Sequence, residues 1–247
     1  MKHALRKLEW IAKLTPENCP GGMPEDDRAW RDLVNRIIKD VRLDLRESDQ
    51  SDSSGKSDLI PKHGGCRNLR CFQSGEIIYD ATQIFCDRFI PKRSRTHDQM
   101  VQAARSGRQN IAEGSMASGT SKKTELKLTN VAKASLEELM LDHEDFLRQK
   151  RLRRWDKDTP EALAVRKRYR TYPEAWFKHR EDSTDLLDPY DLEKVDQTVA
   201  ANTLICLINQ ATYLLKCQLN TQAHKFTEKG GFTERLYKTR RARRDAR

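Results

Sequence analysis

The chain has 247 residues and a formal net charge of +10, with 36% hydrophobic and 34% charged residues. Its length suits one large domain or a domain with an appendage. Its apolar residues recur at regular spacing in the middle of the chain, which excludes a wholly disordered protein.

The first 62 residues are predicted to precede the main domain. Residues 1–47 contain two stretches with helical spacing, around Ala4–Leu14 and from Pro24 onward, separated by a segment with three prolines and a Gly-Gly pair. Residues 48–62 are rich in Ser and Asp and have no apolar period. We therefore expect a helical N-terminal extension over 1–47 and a flexible linker over 48–62.

Four long amphipathic helices are predicted over residues 63–228. Pro91 is expected to end the first, Gly114 to end the second, and Thr120 or Ser121 to cap the third. The fourth is apolar nearly all round, as expected of a helix buried by several neighbours or by another subunit. The predicted ranges are Phe72–Phe89, Thr96–Glu113, Lys122–Gln149 and Leu192–Phe226.

The pattern of these helices predicts the fold class. In the second helix, Met100, Ala104, Gly107 and Ile111 align, and the small residues among them permit close helix contact. No segment has the pattern of a strand. We therefore expect an all-α protein, an up-down four-helix bundle with a basic insertion at 150–191 between the third and fourth helices. Residues 229–247 are expected to form a basic C-terminal tail, which is frayed over Arg235–Arg247.

Several of these segments, in this order, are similar to a known family. The segment NLRCFQSGEIIYD is followed by NIAEG (Asn110–Gly114), a Ser/Thr/Gly loop, the SLEEL helix (Ser135–Leu139), ANTLICLINQATYLL and GGFTERLY. Together they resemble the bacterial four-helix-bundle family, in particular its four helix bundle suffix subgroup. The family includes proteins encoded in intervening sequences of large-subunit ribosomal RNA genes, and Avd, the accessory protein of diversity-generating retroelements. The resemblance covers about Ile60 to Tyr237 and leaves residues 1–59 outside.

The resemblance carries expectations about assembly and partners. It implies a homopentameric barrel of four-helix bundles. By analogy with Avd, it also implies a basic surface that contacts RNA and a barrel that engages a reverse transcriptase. The N-terminal extension and the long insertion depart from the family pattern.

Cysteine usage and hydropathy bear on the compartment. No C-x-x-C pair occurs, so reduced thiols in a cytoplasmic protein are expected. The N-terminal MKHALRKLEWIAKL is charged throughout and does not have the pattern of a signal peptide. Val199–Leu219 is interrupted by Asn, Gln and Lys and is predicted to be too short and too polar to span a bilayer. The cysteines are Cys19, Cys66, Cys71, Cys86, Cys206 and Cys217.

No motif indicates catalysis or a bound cofactor. The GKS at Gly55–Ser57 lacks the remaining glycine of a phosphate-binding loop, and no Glu-x-x-His pair of a di-iron bundle is present. His63, Cys66 and Cys71 are too few for a zinc site. Arg93 and His97 have the wrong spacing for a helical ribonuclease. His143 is predicted on a solvated acidic face, and Cys206 and Cys217 are predicted in the core.

The basic residues are the best functional candidates, because Lys and Arg set against phosphates release condensed counterions. The segment Lys150–Arg180 contains eleven basic and four acidic residues, and the segment Asp196–Arg247 contains ten basic and four acidic residues. In the insertion they alternate with Trp155, Tyr169, Tyr172, Trp176 and Phe177, which can stack on bases or pack on the bundle. The candidate nucleic-acid-binding residues are Arg105, Arg108, Lys122, Lys123, Arg151, Arg153, Arg154, Arg166, Lys167, Arg168, Arg170, Arg240, Arg241, Arg243 and Arg244.

Three functions are compatible with these features. The leading hypothesis is a non-enzymatic, oligomeric nucleic-acid-binding protein, with RNA as the expected polymer and a reverse transcriptase as a candidate partner. The second is a scaffolding oligomer whose basic surface binds an acidic protein. The third is an all-helical ribonuclease, for which the sequence offers no pair of nucleophile and base. No cofactor, metal or membrane partner is expected.

Overall fold

The computed structural model describes residue 60 and residues 63–179 and 188–245, without the side chains of 170–179. The chain divides into two units, Met1–Asp58 and Leu59–Arg247, and the described residues all belong to the second. The helices predicted over 1–47 lie outside the described residues, as does the predicted linker over 48–62 apart from Ile60.

The described residues are helical and contain no strand, which confirms the predicted all-α class. A short 3-10 helix, Cys66–Asn68, precedes the first long helix. The helices are α1 (Arg70–Phe89), α2 (Arg95–Ala117), α3 (Lys122–Gln149), α4 (Pro160–His179), α5 (Gln197–Lys229) and α6 (Phe232–Asp245).

Side-chain caps explain where two of these helices begin. Ser121 Oγ accepts a hydrogen bond from Thr124 N at 3.2 Å, so α3 begins where the sequence predicted. Asp196 Oδ1 accepts from Thr198 N at 2.6 Å, which starts α5 at Gln197 rather than at the predicted Leu192. The residues Leu192–Val195 instead form turns before the helix.

The predicted end of the second helix at Gly114 is wrong. α2 continues to Ala117, and Gly114 is not among the glycines with positive φ. A Cβ at Gly114 would lie 3.4 Å from Leu128 Cβ and 3.5 Å from the Glu125 carbonyl oxygen. This glycine therefore allows α2 to approach α3 closely, and it does not terminate the helix.

Each of α1, α2, α3 and α5 packs against two of the others, in the cyclic order α1, α2, α3, α5. The hydrogen bonds Lys150 Nζ to Gln197 Oε1 (3.0 Å) and Gln222 Nε2 to Glu125 Oε1 (3.0 Å) show that α3 and α5 are antiparallel. Cys71 Sγ donates to Gln218 Oε1 at 2.9 Å, and Arg88 Nη1 donates to the Val195 carbonyl at 2.9 Å. These contacts make α1 antiparallel to α5.

The core forms along the predicted stripes. Met100, Ala104, Gly107 and Ile111 of α2 are all buried. A Cβ added at Gly107 would lie 2.7 Å from Leu136 Cδ2, so α2 and α3 are in direct contact at this level. Toward the C-terminal end of α3, the ring centroid of Phe85 lies 4.9 Å from that of Phe146.

The long helix α5 is buried unevenly. From Ala200 to Ile208 its residues are buried except Cys206, whereas Asn209 and Tyr213 farther along are exposed. By length and composition a window within Gln197–Asp245 could cross a membrane, and 61% of that window is buried inside the protein. By length and composition alone, this part of the chain therefore passes a test that Val199–Leu219 was expected from its sequence to fail, and most of the window is covered by the neighbouring helices.

The basic insertion forms a helix that packs on the other helices. α4 packs against α5 and α1, with Ala162 and Val165 buried. The hydroxyl of Tyr169 is hydrogen-bonded to that of Ser74 on α1. Trp155 and Tyr169 pack against the core, so for these two aromatics packing is the observed role. The side chains of Tyr172, Trp176 and Phe177 lie outside the described residues.

The basic tail is also helical. The chain turns at Gly230, where φ is 66° and ψ is −167°, and then forms α6. This backbone conformation is accessible essentially only to glycine. The prediction of a frayed tail is therefore wrong over Arg235–Asp245.

Candidate nucleic-acid interface

The candidate residues are spread along the helical domain from one end to the other. α3 has 28 residues and is therefore about 40 Å long. Its C-terminus, the start of α5 and the loop 150–159 form one end, here called the insertion end. Its N-terminus, the end of α5 and α6 form the other, here called the tail end.

The candidates on α2 do not form one patch with those on α3. Gly107 contacts Ala132 and Leu136, so Arg105 and Arg108 lie about 15 Å along α3 from Lys122. Arg105 is exposed, whereas Arg108 is half-buried and its guanidinium carbon lies 4.5 Å from the ring centroid of Tyr79. Arg108 therefore has a packing partner between α1 and α2.

The two lysines at the start of α3 differ in their surroundings. Lys122 Nζ donates to Glu125 Oε2 at 2.8 Å, and the same carboxylate accepts from Gln222 Nε2 on α5. Lys123 is exposed and makes no ion pair within the described part of the chain. Lys122 is thus tied into a link between α3 and α5, and Lys123 is available to a ligand.

A buried asparagine fixes the loop at the insertion end. Asn202 of α5 is 1% exposed, accepts from Trp155 N at 2.7 Å and donates to the Arg153 carbonyl at 2.9 Å. Arg151 has a φ of 55°, which is uncommon outside glycine. Its side chain and that of Arg153 are exposed. The loop is therefore held in one conformation that presents these two arginines.

Other cations of the insertion, in the loop and on α4, have carboxylate or backbone partners. Arg154 Nη2 lies 2.7 Å from Glu144 Oε1, and Arg168 Nη2 lies 2.9 Å from Asp191 Oδ2. Arg166 Nε donates to the Ala162 carbonyl at 3.4 Å. Lys167 is exposed, and the side chain of Arg170 lies outside the described residues. The positive charge of the insertion is therefore partly neutralised by the protein itself.

The tail helix has a larger unneutralised charge. α6 contains six basic residues and two acidic ones, Glu234 and Asp245, and none of its residues is buried. Arg241 Nε lies 3.7 Å from Asp245 Oδ2. The cations without an ion pair to any described residue are Arg235, Lys238, Arg240, Arg243 and Arg244.

The first turn of α6 is set by Glu234. Its Oε2 accepts a hydrogen bond from Gly231 N at 2.8 Å, and Gly230 N donates to the Phe226 carbonyl at 3.0 Å. A Cβ at Gly231 would lie 3.2 Å from the Phe226 ring. The junction between α5 and α6 is therefore specified by the two glycines and one carboxylate.

The histidines considered for catalysis lack a suitable environment. His97 is partly buried, with Asp87 and Asp98 carboxylate oxygens 3.6 Å from its two ring nitrogens. No nucleophile is hydrogen-bonded to it among the described residues. Within the same residues, no group of three or more His, Cys, Asp or Glu side chains is placed to hold a metal ion.

The prediction that His143 lies on a solvated acidic face is wrong. Its side chain is fully buried, and its ring centroid lies 4.8 Å from that of Phe85. Nδ1 is 2.8 Å from the Leu139 carbonyl, and burial lowers its pKa to about 4. The spacing Leu136, Leu139, His143 places it on the buried stripe, a stronger signal than its acidic neighbours in the sequence.

The cysteines divide differently from the prediction. Cys71 and Cys86 are buried, and burial raises the pKa of each thiol to about 12. Cys206 and Cys217, predicted as core residues, are only partly buried. All the cysteines in the described part of the chain are free thiols.

Comparison of the chain with protein-family models, curated proteins and solved structures finds no match. Functional inference therefore depends on the residues themselves. Asn202 and Glu234, which position the candidate interface, were not singled out from the sequence, and neither was Lys238, a cation of the tail helix. A polar residue within the apolar run of α5 was the available signal for Asn202.

Proposed function

We propose that this is a non-enzymatic, cytoplasmic nucleic-acid-binding protein whose principal contact surface is the tail end. The observation that carries the proposal is the set of exposed cations on α6 that lack ion-pair partners, together with Lys123 at the start of α3. An unpaired cation keeps its full charge for a phosphate, and no internal ion pair has to be broken when it binds.

The contrast with the insertion end supports this assignment. There Arg148 and Arg154 lie within 2.9 Å of carboxylate oxygens, and so does Arg168 on α4. Arg151 and Arg153 remain exposed in the loop and form a secondary cationic surface, and Lys167 is exposed on α4. Because about 40 Å separate the two ends, a short nucleic acid would contact one end at a time.

The architectural part of the proposal is an up-down four-helix bundle of α1, α2, α3 and α5. Their cyclic packing order and the antiparallel contacts of α5 with α1 and α3 support it. We also propose that the bundle self-associates, with five copies as the number that the family resemblance implies. Leu141 is 59% exposed and Val131 is 38% exposed on the outer side of α3, where a second copy would cover them.

RNA is the polymer, and a reverse transcriptase the protein partner, that the family resemblance adds to this proposal. The tail-end cations would bind any polyanion with regularly spaced phosphates, so their charge alone does not select one polymer. RNA over DNA and the reverse transcriptase follow from the resemblance alone, so each needs its own experiment.

Titration of the purified protein with labelled structured RNA across a range of salt concentrations tests the proposal. We expect tight binding at low salt and a log–log slope near −0.9 for each phosphate neutralised on a duplex, or about −0.7 on a single strand. Absence of binding at low salt, or an affinity that does not change with salt, would contradict it. The RNA is expected to remain intact, and cleavage that His97→Ala abolishes would establish the ribonuclease function instead.

Affinity capture before and after nuclease treatment separates nucleic-acid binding from protein scaffolding. Partners bridged by nucleic acid are lost on treatment, whereas an acidic protein bound directly to the basic surface is retained. Light scattering of the native protein and of Leu141→Glu tests the assembly. We expect an oligomer that the substitution dissociates, and a monomeric wild-type protein would contradict self-association.

A further inference from the structure

The tail helix has cations on all sides. At about 100° per residue, Arg243, Arg240 and Arg241 lie roughly 140°, 200° and 300° around the axis from Lys238. Arg244 lies between Arg240 and Arg241 in this projection. A surface helix that lies along a single phosphate strand needs only one cationic stripe, whereas this helix presents positive charge in every direction.

Such a distribution fits a site with phosphates on two opposite sides. The major groove of B-form DNA is about 12 Å wide and admits an α-helix, whose diameter with side chains is about 10–12 Å. The major groove of a regular A-form RNA duplex is too deep and narrow for a helix. An RNA helix whose groove is opened by an internal loop would offer the same two walls.

α6 is free to enter a groove lengthwise. Only Phe232, Arg235, Leu236 and Thr239 are partly buried, and from Arg240 onward every described residue is exposed. The junction at Gly230 and Gly231, with the Glu234 carboxylate bonded to Gly231 N, sets the direction in which the helix leaves α5. The exposed half is thus a defined projection from the tail end.

The same residues argue against a membrane surface as the ligand. An interfacial helix needs an apolar face along its length. Phe232 and Leu236 are confined to the first turns, where they are partly buried, and Tyr237 is the one large apolar side chain among the exposed residues of α6. The last two turns have only Ala242 besides polar and charged residues.

We propose that α6 binds lengthwise in an open major groove of a nucleic-acid duplex and contacts phosphates on both walls. This inference rests on the proposed nucleic-acid binding and names the form of the polymer. It makes the helical conformation of the tail necessary for duplex binding, and it distinguishes the tail from a disordered basic segment, which would bind through charge alone.

Two substitutions separate conformation from charge. Ala242→Pro removes a backbone donor within the last turns and breaks the helix without changing any charge. Thr233→Pro is the matched control, since proline is tolerated in the first turn of a helix. Both sites are exposed, so neither substitution affects the core. Circular dichroism and thermal denaturation verify that each variant retains the fold of the domain.

The measurement is the affinity of each variant for four labelled probes of equal length. The probes are a DNA duplex, an RNA hairpin with an internal loop, a perfect RNA duplex and a single strand. We expect Ala242→Pro to weaken binding to the first two by about tenfold, the contribution of one phosphate contact at about 0.1 M salt. Binding to the last two, and all binding by Thr233→Pro, should change little.

Two outcomes would overturn the inference. If Ala242→Pro lowers the affinity for all four probes equally, or for none of them, the helix does not bind in a groove and α6 acts as a flexible polycation. In either case the proposed function stands as long as wild-type protein binds in a salt-dependent way. If no probe binds wild-type protein at low salt, the proposed function itself fails.

Discussion

Asn202, a buried residue in the first turns of α5, accepts a hydrogen bond from the backbone N–H of Trp155 at 2.7 Å and so joins the insertion loop to α5. The same side chain donates to the carbonyls of Arg153 and Thr198 at 2.9 Å and 2.8 Å. Its amide is therefore satisfied although it is buried, which is the condition for a polar group in an apolar core. The contact explains how a loop of exposed arginines has a fixed conformation.

Replacing Asn202 by Ala should loosen this loop. Two backbone groups of the loop lose their partner, and we expect the free energy of unfolding to fall by about 1–3 kcal/mol. Limited trypsin digestion should cleave faster after Arg151, Arg153 or Arg154. Asn209→Ala is the control, because Asn209 is exposed and, among the described residues, its amide bonds only to Ile205 of its own helix. Equal effects of the two substitutions would contradict the anchoring role.

The contact between α2 and α3 at Gly107 should tolerate no side chain. A Cβ there would lie 2.7 Å from Leu136 Cδ2, and Leu136 is fully buried. We expect Gly107→Ala to lower the free energy of unfolding by about 1–3 kcal/mol in chemical denaturation. Gly114→Ala, with its nearest atom at 3.4 Å, should be close to neutral, because the higher helix propensity of Ala offsets the tighter contact. A milder effect at Gly107 than at Gly114 would be inconsistent with this packing.

Buried His143 should make stability depend on pH. Its pKa is lowered to about 4 by burial, so the unfolded chain binds the proton first as the pH falls. The free energy of unfolding should therefore decrease below the unfolded pKa of about 6.5, by up to about 1.4 kcal/mol per pH unit, and level off near pH 4. Denaturation curves of wild type and His143→Phe at several pH values measure it. The variant should lack this component, and an unchanged pH profile would refute the assignment.

Thiol reactivity should follow burial. The buried thiols of Cys71 and Cys86, with pKa values raised to about 12, form little thiolate near neutral pH. We expect alkylation of the native protein to modify Cys66 and Cys217 well before Cys71 and Cys86, with all four modified after denaturation. Mass spectrometry of peptides gives the order. Early modification of Cys86 in the native state would show that the core around Phe85 opens readily.

The sequence predicted the helical domain well where burial follows periodicity. The stripe Met100, Ala104, Gly107 and Ile111 is buried, and α3 has the predicted bounds. Errors arose where a residue type was given more weight than its position. Glycine as a residue type predicts a helix end at Gly114, although Gly114 lies on the buried stripe of α2. Acidic neighbours predict a solvated His143, although His143 lies on the buried stripe of α3.

The candidate site was less predictable because charge in a sequence does not show its partners. Arg154 and Arg168 contact carboxylates on other segments, at Glu144 and Asp191. Lys122 and Arg105 were predicted to share one basic patch. Because α2 packs antiparallel to α3, Arg105 lies beside the middle of α3 and Lys122 lies at its start. The tail helix was missed because its residues lack an apolar period, and its conformation depends on Gly230, Gly231 and Glu234 at its start.

The central claim is that the tail end is the principal nucleic-acid contact, and charge reversal on the tail helix and in the insertion tests it most directly. One variant carries Glu at Arg240, Arg241, Arg243 and Arg244. The matched variant carries Glu at three cations of the loop, Arg151, Arg153 and Lys157, and at Lys167 of α4. Both change the net charge equally and alter only exposed side chains. Binding of one labelled nucleic acid is then titrated at several salt concentrations.

We predict that the tail variant loses about 0.9 in the salt slope for each duplex phosphate contact removed, and about tenfold in affinity per contact at about 0.1 M salt. The insertion variant should keep most of the wild-type slope. A larger loss in the insertion variant, or equal losses in the two, would contradict the account.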